Sequence, residues 1–317
     1  MRMNELKLEG RALLVASTGG HLAQLVKLSE RLVADPDPLW VTFENDQSRS
    51  LLEGRRVLYV PYIAPRDFKN VARASKEIQP HLREIDVALS TGSAIALAAL
   101  PQAAMRRLRS VYVESVSRFE GPSLTGRIMA KVPGVETYSQ HERWSSPRWP
   151  VISSVLNDFQ TESKETRPDP RSMRVFVTLG TIRPYRFDSL VDAVLGLDID
   201  HDNIVWQLGS TSREGLPGQI HESIPRSEFE RLVKTSDVVI SHAGVGSVLD
   251  FLDLGVVPVM VPRRSARAEH VDDHQLQVGL ALAPLDLVVS AESDSLTLDH
   301  LMKASSTRVV SKGSQRK

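Results

Sequence analysis

Short apolar runs alternate with amphipathic stretches along most of this chain. Runs of Val, Ile, Leu and Ala bounded by turn-forming residues read as strands buried on both faces, and the helical patterns between them as crossover helices. In the first half the pattern predicts strands at Ala12–Ala16, Leu39–Phe43, Val57–Val60, Val87–Ser90, Ser110–Glu114 and Val135–Ser139. In the second half it predicts Val175–Leu179, Ile204–Leu208, Val238–Ser241 and Val257–Val261. A helix is expected from about His21 to Ala34 and another from Ala94 toward Arg109. The alternation marks an α/β fold with parallel sheets. There is no short internal repeat, yet each half opens alike, with a strand running into a glycine turn.

At 317 residues the chain is long enough for two domains, each with its own core. The segment 161–172, charged and carrying Pro168 and Pro170, cannot support a core and reads as the linker. The expected division is 1–160, then 173–304, with a polar, basic and flexible tail over 305–317. Basic and acidic residues balance at 39 each, so nothing in the charge calls for nucleic acid. The absence of cysteine excludes disulfides, thiolate catalysis and zinc–thiolate sites. The first ten residues lack the apolar core of a signal peptide, and Ala94–Met105, interrupted by Pro101, is too short to span a bilayer. A soluble or peripheral cytoplasmic protein is expected.

Candidate chemistry lies in the turns. Ser241-His242-Ala243-Gly244-Val245-Gly246-Ser247 joins a strand end to a helix start. There, free backbone N–H groups and the helix dipole favour a phosphate. Glycine lets the backbone approach a ligand, and Ser247 adds a hydroxyl. Asp250, one helical turn on, is placed to accept hydrogen bonds from a ribose, and His274-Gln275 to reach a group beyond the phosphates. The third position of a dinucleotide fingerprint holds Leu249 instead of glycine, and no P-loop sequence occurs. A glycine turn of this kind also occurs in α/β folds that bind nothing.

The first half opens Ser17-Thr18-Gly19-Gly20-His21, and the second reaches Leu179-Gly180-Thr181. Both turns follow the first strand of their half, where open α/β sheets bind ligands. Two such sheets facing each other would place His21 and Gly180-Thr181 across one cleft. His21 is either a packed polar cap or a general base, since imidazole titrates near neutrality and a helix N-terminus holds it neutral. Ser90-Thr91-Gly92-Ser93 is a further strand end, either a capping turn or an acceptor contact. Glu114, closing Tyr112-Val113-Glu114, is open to three readings: acceptor contact, second acid/base group, or cap for Ser117. The basic end Arg106-Arg107-Leu108-Arg109 is either a solvated helix terminus or, with Leu97, Leu100 and Met105, a membrane-facing surface. His270, Asp272, Asp273 and His274 form the densest ligand-type cluster, but no remote ligand completes it and no metal is expected.

Taken together these motifs resemble the family 28 glycosyltransferases of the GT-B fold, two Rossmann-like domains facing across a cleft. The nearest likeness is a fused, single-chain form of the two-subunit GlcNAc transferase of dolichol-linked oligosaccharide synthesis, with bacterial exopolysaccharide relatives. Residues 11–140 resemble its acceptor-side, membrane-associating subunit and 174–282 its donor-binding subunit. The likeness implies an inverting, metal-independent transfer from a UDP-sugar to a polyprenyl-(di)phosphate-linked acceptor in cell-surface or exopolysaccharide synthesis, without a cofactor. It implies His21 as base, with Glu114 as a second catalytic candidate. It assigns Gly180, Thr181, His242, Ala243, Gly244, Val245, Gly246, Ser247, Asp250, His274 and Gln275 to the donor. Gly19, Gly20, Thr91, Gly92 and Ser93 go to the acceptor. Asp250 stands where relatives usually carry glutamate, and the membrane anchor of the eukaryotic acceptor subunit has no counterpart. Membrane contact would then come from Ala94–Arg109 or Leu124–Lys131, at the inner face of the plasma membrane. Two competing readings are a UDP-sugar epimerase of the same architecture and a non-catalytic nucleotide-sugar-binding scaffold.

Overall fold

Every residue of Ala12–Ala16 is buried, as an apolar run without alternation requires, and this strand, β1, sits inside a sheet. The computed structural model describes residues 6–64, 67–180, 184–270 and 273–311, apart from the side chain of His274. The chain divides into two units, Met1–Asn157 and Asp158–Lys317. In the first, β1 leads to α1 (Gly20–Leu32), β2 (Leu39–Thr42), α2 (Asp46–Leu51), β3 (Val57–Tyr59) and α3 (Phe68–Ile78). Then follow β4 (Val87–Gly92), α4 (Ile95–Met105), β5 (Arg109–Val113), α5 (Leu124–Met129) and β6 (Val135–Tyr138). The strands are all parallel, in the order β3-β2-β1-β4-β5-β6. Helix α1 buries Leu22, Leu25, Leu28 and Leu32, whose three- and four-residue spacing makes one apolar face.

The second unit opens with β7 (Phe159–Ser163), β8 (Val175–Thr178), α6 (Asp188–Leu195), β9 (Ile204–Gln207), β10 (Gln219–His221) and α7 (Arg226–Thr235). It continues with β11 (Val238–His242), α8 (Val245–Asp253), β12 (Val259–Val261), α9 (His274–Leu282), β13 (Val289–Ser290), α10 (Leu298–Ser305) and β14 (Thr307–Ser311). Its main sheet, again parallel, runs β10-β9-β8-β11-β12-β13. Counted within each unit, both sheets have the doubly wound order in which the first and fourth strands meet at the topological switch point.

The two units share a further device. Arg11, just before β1, donates its backbone N–H to Asp86 Oδ2 at 2.9 Å, and Arg174, just before β8, does the same to Asp237 Oδ2 at 2.9 Å. Each arginine also pairs with its aspartate through the side chain. The clasp joins the entries of the first and fourth strands; being exposed, it fixes geometry more than it stabilises.

Several expectations need correction. Residues 161–163, expected as linker, and 307–311, expected as tail, belong with 159–160 to an antiparallel ladder, Phe159 opposite Ser311 and Ser163 opposite Thr307. Phe159 and Val309 are buried, and Arg308 pairs with Glu162 at 2.9 Å. One buried apolar side chain per strand leaves no run in the sequence; the ladder depends on a partner remote along the chain. The rest of the predicted tail, 312–317, lies outside the described residues. The helix expected to run to Arg109 ends at Met105: Arg107 turns the chain at φ 63°, and Arg109 opens β5. No described helix is long and apolar enough to cross a membrane.

Candidate functional site

At the first switch point the ends of β1 and β4 clasp one another. His21 Nδ1 lies 2.7 Å from the Thr91 carbonyl, and Thr91 Oγ1 donates to the His21 carbonyl at 2.7 Å. Ser17 N–H donates to Gly92 O at 3.1 Å. A carbonyl oxygen only accepts, so Nδ1 carries the ring proton and Nε2 keeps its lone pair. No other hydrogen bond reaches that ring among the described residues. Burial lowers the His21 pKa below its ordinary value, the Arg118 charge adds to this, and the Thr91 bond opposes it. The imidazole is therefore neutral at pH 7, oriented, and half-buried. Gly92 makes room for it: a Cβ there would stand 3.0 Å from His21 Cε1.

Gly19 (φ 85°) caps α1 without a side-chain bond, and its N–H is held by Gln47 Oε1. Gly20 and Ser93 are partly accessible beside it, whereas Thr91 and Gly92 are buried. Glu114 is 1% exposed. One of its oxygens accepts from Ser115 N–H and Tyr112 OH, the other from Ser123 N–H and Oγ. Burial raises its pKa against these donors. Of the three roles open to it, capping describes this geometry, but the capped groups are Ser115 and Ser123 rather than Ser117. Gly126 is required here, since a Cβ would collide with Glu114 Oε2.

At the second switch point the histidine sits on the other strand. His242 ends β11; its Nδ1 lies 3.4 Å from Ser241 Oγ, and the Thr178 carbonyl at the end of β8 favours its protonated form. Ideal Cβ atoms on Gly180 and Gly244 would lie 2.8 Å from its Cε1 and 2.5 Å from its Nε2. Glycine at 180 and 244 therefore makes space for an imidazole. Burial first, then the Arg263 charge, push the His242 pKa down to about 4, so this ring stays neutral under ordinary conditions. Ala243 is buried, while Gly244, Val245, Gly246 and Ser247 are all partly accessible. No side chain caps α8, and Ser247 Oγ makes no hydrogen bond among the described residues. The first turn of α8 thus offers N–H groups and a hydroxyl at a positive dipole end.

Asp250 lies on α8 with its side chain 17% exposed, 2.9 Å from Arg226 Nη1. Burial raises its pKa, opposed by that guanidinium. Gln275 is buried and accepts the Arg263 N–H at 3.1 Å. Thr181 and Asp272 lie outside the described residues, as does the side chain of His274. His270 packs its ring 5.8 Å from that of Tyr185, and Asp273 accepts from Ser265 N–H at 2.8 Å.

Sequence reasoning missed Arg263. Within Pro262-Arg263-Arg264-Ser265 it reads as one more loop charge, yet it is wholly buried. It donates to Leu179 O at 2.5 Å, Tyr185 O at 2.8 Å and Glu269 O at 3.1 Å, and its Cζ lies 5.1 Å from the Phe187 ring centroid.

Residues 174–305 match the glycosyltransferase family 28 C-terminal domain. Among solved structures the fold is similar to that of Acinetobacter baumannii MurG (TM-score 0.55, 16% identity, 92% of this chain and 89% of that one). The chain has the GT-B fold, and its second unit is similar to the family 28 C-terminal domain over residues 174–305. Within that class it is related to the Chlorobaculum tepidum UDP-N-acetylglucosamine--N-acetylmuramyl-(pentapeptide) pyrophosphoryl-undecaprenol N-acetylglucosamine transferase, 25% identical over 203 residues and 58% of this chain. The Yarrowia lipolytica UDP-N-acetylglucosamine transferase subunit ALG13 is 28% identical over 165 residues, 46% of this chain and 74% of its own length. The match spans about half, 54%, of the Chlorobaculum protein.

Proposed function

We propose that this protein is an inverting, metal-independent hexosyltransferase that moves a sugar from a UDP-sugar to a polyprenyl-(di)phosphate-linked acceptor in cell-surface or exopolysaccharide synthesis. The observation that carries the reading is the open N-terminus of α8, set in a family 28 C-terminal domain. Its N–H groups, from Val245 to Ser247, hold the diphosphate and stabilise the charge that grows on it as the sugar leaves. Asp250 accepts from the ribose hydroxyls, and Gln275 with His274 meets the sugar. Gly180 borders the same site, and Thr181 is assigned to it by sequence alone. The relatives named above use UDP-N-acetylglucosamine by name, which makes it the first donor to test.

His21 is the base. The acceptor O–H gives its proton to Nε2 while its oxygen bonds the anomeric carbon. The bond from that carbon to the UDP oxygen breaks, and attack from the opposite face inverts the centre. Gly19, Gly20, Thr91, Gly92 and Ser93 form the acceptor side. Glu114, with four donors on its carboxylate, braces the start of α5 and takes no part in the proton transfer.

Exposed Leu124 and Ile128 on α5, flanked by Arg127 and Lys131, and exposed Met105 beside Arg106 and Arg107 give an apolar and basic face suited to an anionic membrane. Co-sedimentation with anionic vesicles, lost in Leu124→Asp/Ile128→Asp, tests that contact. The transfer itself is tested by incubating UDP-GlcNAc with polyprenyl-diphosphate-linked sugars and reading the product anomer by NMR. An inverted glycoside formed by the wild type and not by His21→Ala supports the assignment. Epimerised UDP-GlcNAc without acceptor would replace it.

A further inference from the structure

The buried group that the reading above leaves unused is Arg263, and it stands inside the donor-side unit. Its three carbonyl partners lie on separate segments: Leu179 just past β8, Tyr185 before α6, and Glu269 in the loop after β12. Its own N–H reaches Gln275 at the start of α9. One guanidinium therefore joins the turn that carries Gly180, the approach to α6 and the loop that leads to the proposed sugar contact. The fork geometry suits this, because rigid, divergent N–H groups reach several acceptors at once.

Bridging carbonyls does not by itself need a charge. A neutral amide satisfies carbonyls without the heavy penalty of burying a cation. Arg263 has no carboxylate at ion-pair distance among the described residues, and its Nε is buried without a hydrogen-bond partner. The Glu269 carboxylate, which raises its pKa through space, is engaged with the Arg264 N–H at 3.1 Å. The Arg263 charge also lowers the proton affinity of His242, which ends β11 just before the Gly244 turn. Burial lowers the Arg263 pKa to about 10, which still leaves the group charged at pH 7.

We propose that Arg263 is a positioning residue of the donor site: it holds these three segments in one arrangement, and its positive charge selects a nucleoside diphosphate over an uncharged nucleoside. The proposal rests on the donor-site reading above.

The test is equilibrium binding of UDP and uridine, without metal, to the wild type, Arg263→Gln and Arg263→Lys. Arg263→Gln should lose about tenfold or more in UDP affinity and less than about threefold for uridine, as loss of one nearby charge requires. Arg263→Lys keeps the charge but not the fork, so it should weaken both ligands while retaining the preference for UDP. An equal loss of UDP and uridine in Arg263→Gln would reduce the residue to a structural bolt and overturn the proposal. Failure of the wild type to bind UDP at all brings down the donor-site reading itself. Should Arg263→Gln not fold, the Nε–H resonance of Arg263 in the wild type decides: it should shift with UDP and not with uridine, and an unmoved resonance overturns the assignment.

Discussion

The two switch points are built from the same parts in reciprocal arrangement. In the first unit the histidine follows the first strand and hooks onto a carbonyl of the fourth; in the second it ends the fourth strand, where the carbonyl of Thr178, at the end of the first, favours its protonated form. The surroundings separate their chemistry. His21 has one nitrogen pinned by Thr91 and the other unbonded among the described residues. His242 is walled by Gly180 and Gly244, and burial, helped by the nearby Arg263 guanidinium, holds its pKa at about 4. One imidazole keeps a nitrogen without a described partner, as the proposed base needs; the other is a neutral filler beside the open first turn of α8. Equal folds place equal side chains, and the neighbours decide what each one does.

The largest way to break the comparison is to remove the two rings separately. His21→Ala should lower kcat for transfer by about 10²- to 10⁴-fold, the range for a missing general base, with UDP affinity unchanged. His242→Ala should instead disturb UDP binding, since the ring packs against the turn that holds it. Next in size is Asp250→Ala: losing a charged acceptor for the ribose should weaken UDP about 10- to 100-fold, read by calorimetry. Arg226, left without that partner, is not expected to compensate.

The glycines sharpen the contrast. Gly19→Ala and Gly180→Ala both force a side chain onto a positive φ, 85° and 79°. Beyond that strain, a Cβ at 19 meets nothing within 4 Å, whereas one at 180 lies 2.8 Å from the His242 ring. Gly19→Ala should destabilise its unit by about 1 kcal/mol and Gly180→Ala by roughly 2–3 kcal/mol, measured as a difference in chemical-denaturation midpoints.

Spread over pH, and small at any one neutral pH, is proton linkage. Burial lowers both histidine pKa values, so the unfolded chain binds protons that the folded one refuses. Stability is full above pH 6.5 and declines as pH falls below it. For His242 the decline continues to about pH 4 and amounts to roughly 3 kcal/mol. His242→Gln should flatten that slope. Activity carries the other signature: because His21 must be unprotonated, the acid limb of kcat/KM should lie below pH 6.5.

Most of the sheet could be read from sequence because parallel strands are buried on both faces and announce themselves as apolar runs. The elements missed lack that signature. Gln219-Ile220-His221 is an edge strand with Ile220 45% exposed, Val289–Ser290 is two residues long, and β7 and β14 each depend on a partner far along the chain. In the site, strand-end glycines and histidines were visible because local turn chemistry demands them. Arg263 was not, because burial of a loop arginine is decided by carbonyls from three other segments. Glu114 was visible as a strand-end carboxylate, but its four donors follow only from the folded loop.

The most direct measurement of the central claim is metal-free binding of UDP, GDP, TDP and ADP, alone and as sugar conjugates, to the wild type, Asp250→Ala and His21→Ala. The account predicts preference for UDP, strengthened by one sugar, weakened at least about tenfold by Asp250→Ala and untouched by His21→Ala. Equal binding of all four nucleotides, or none, would contradict it.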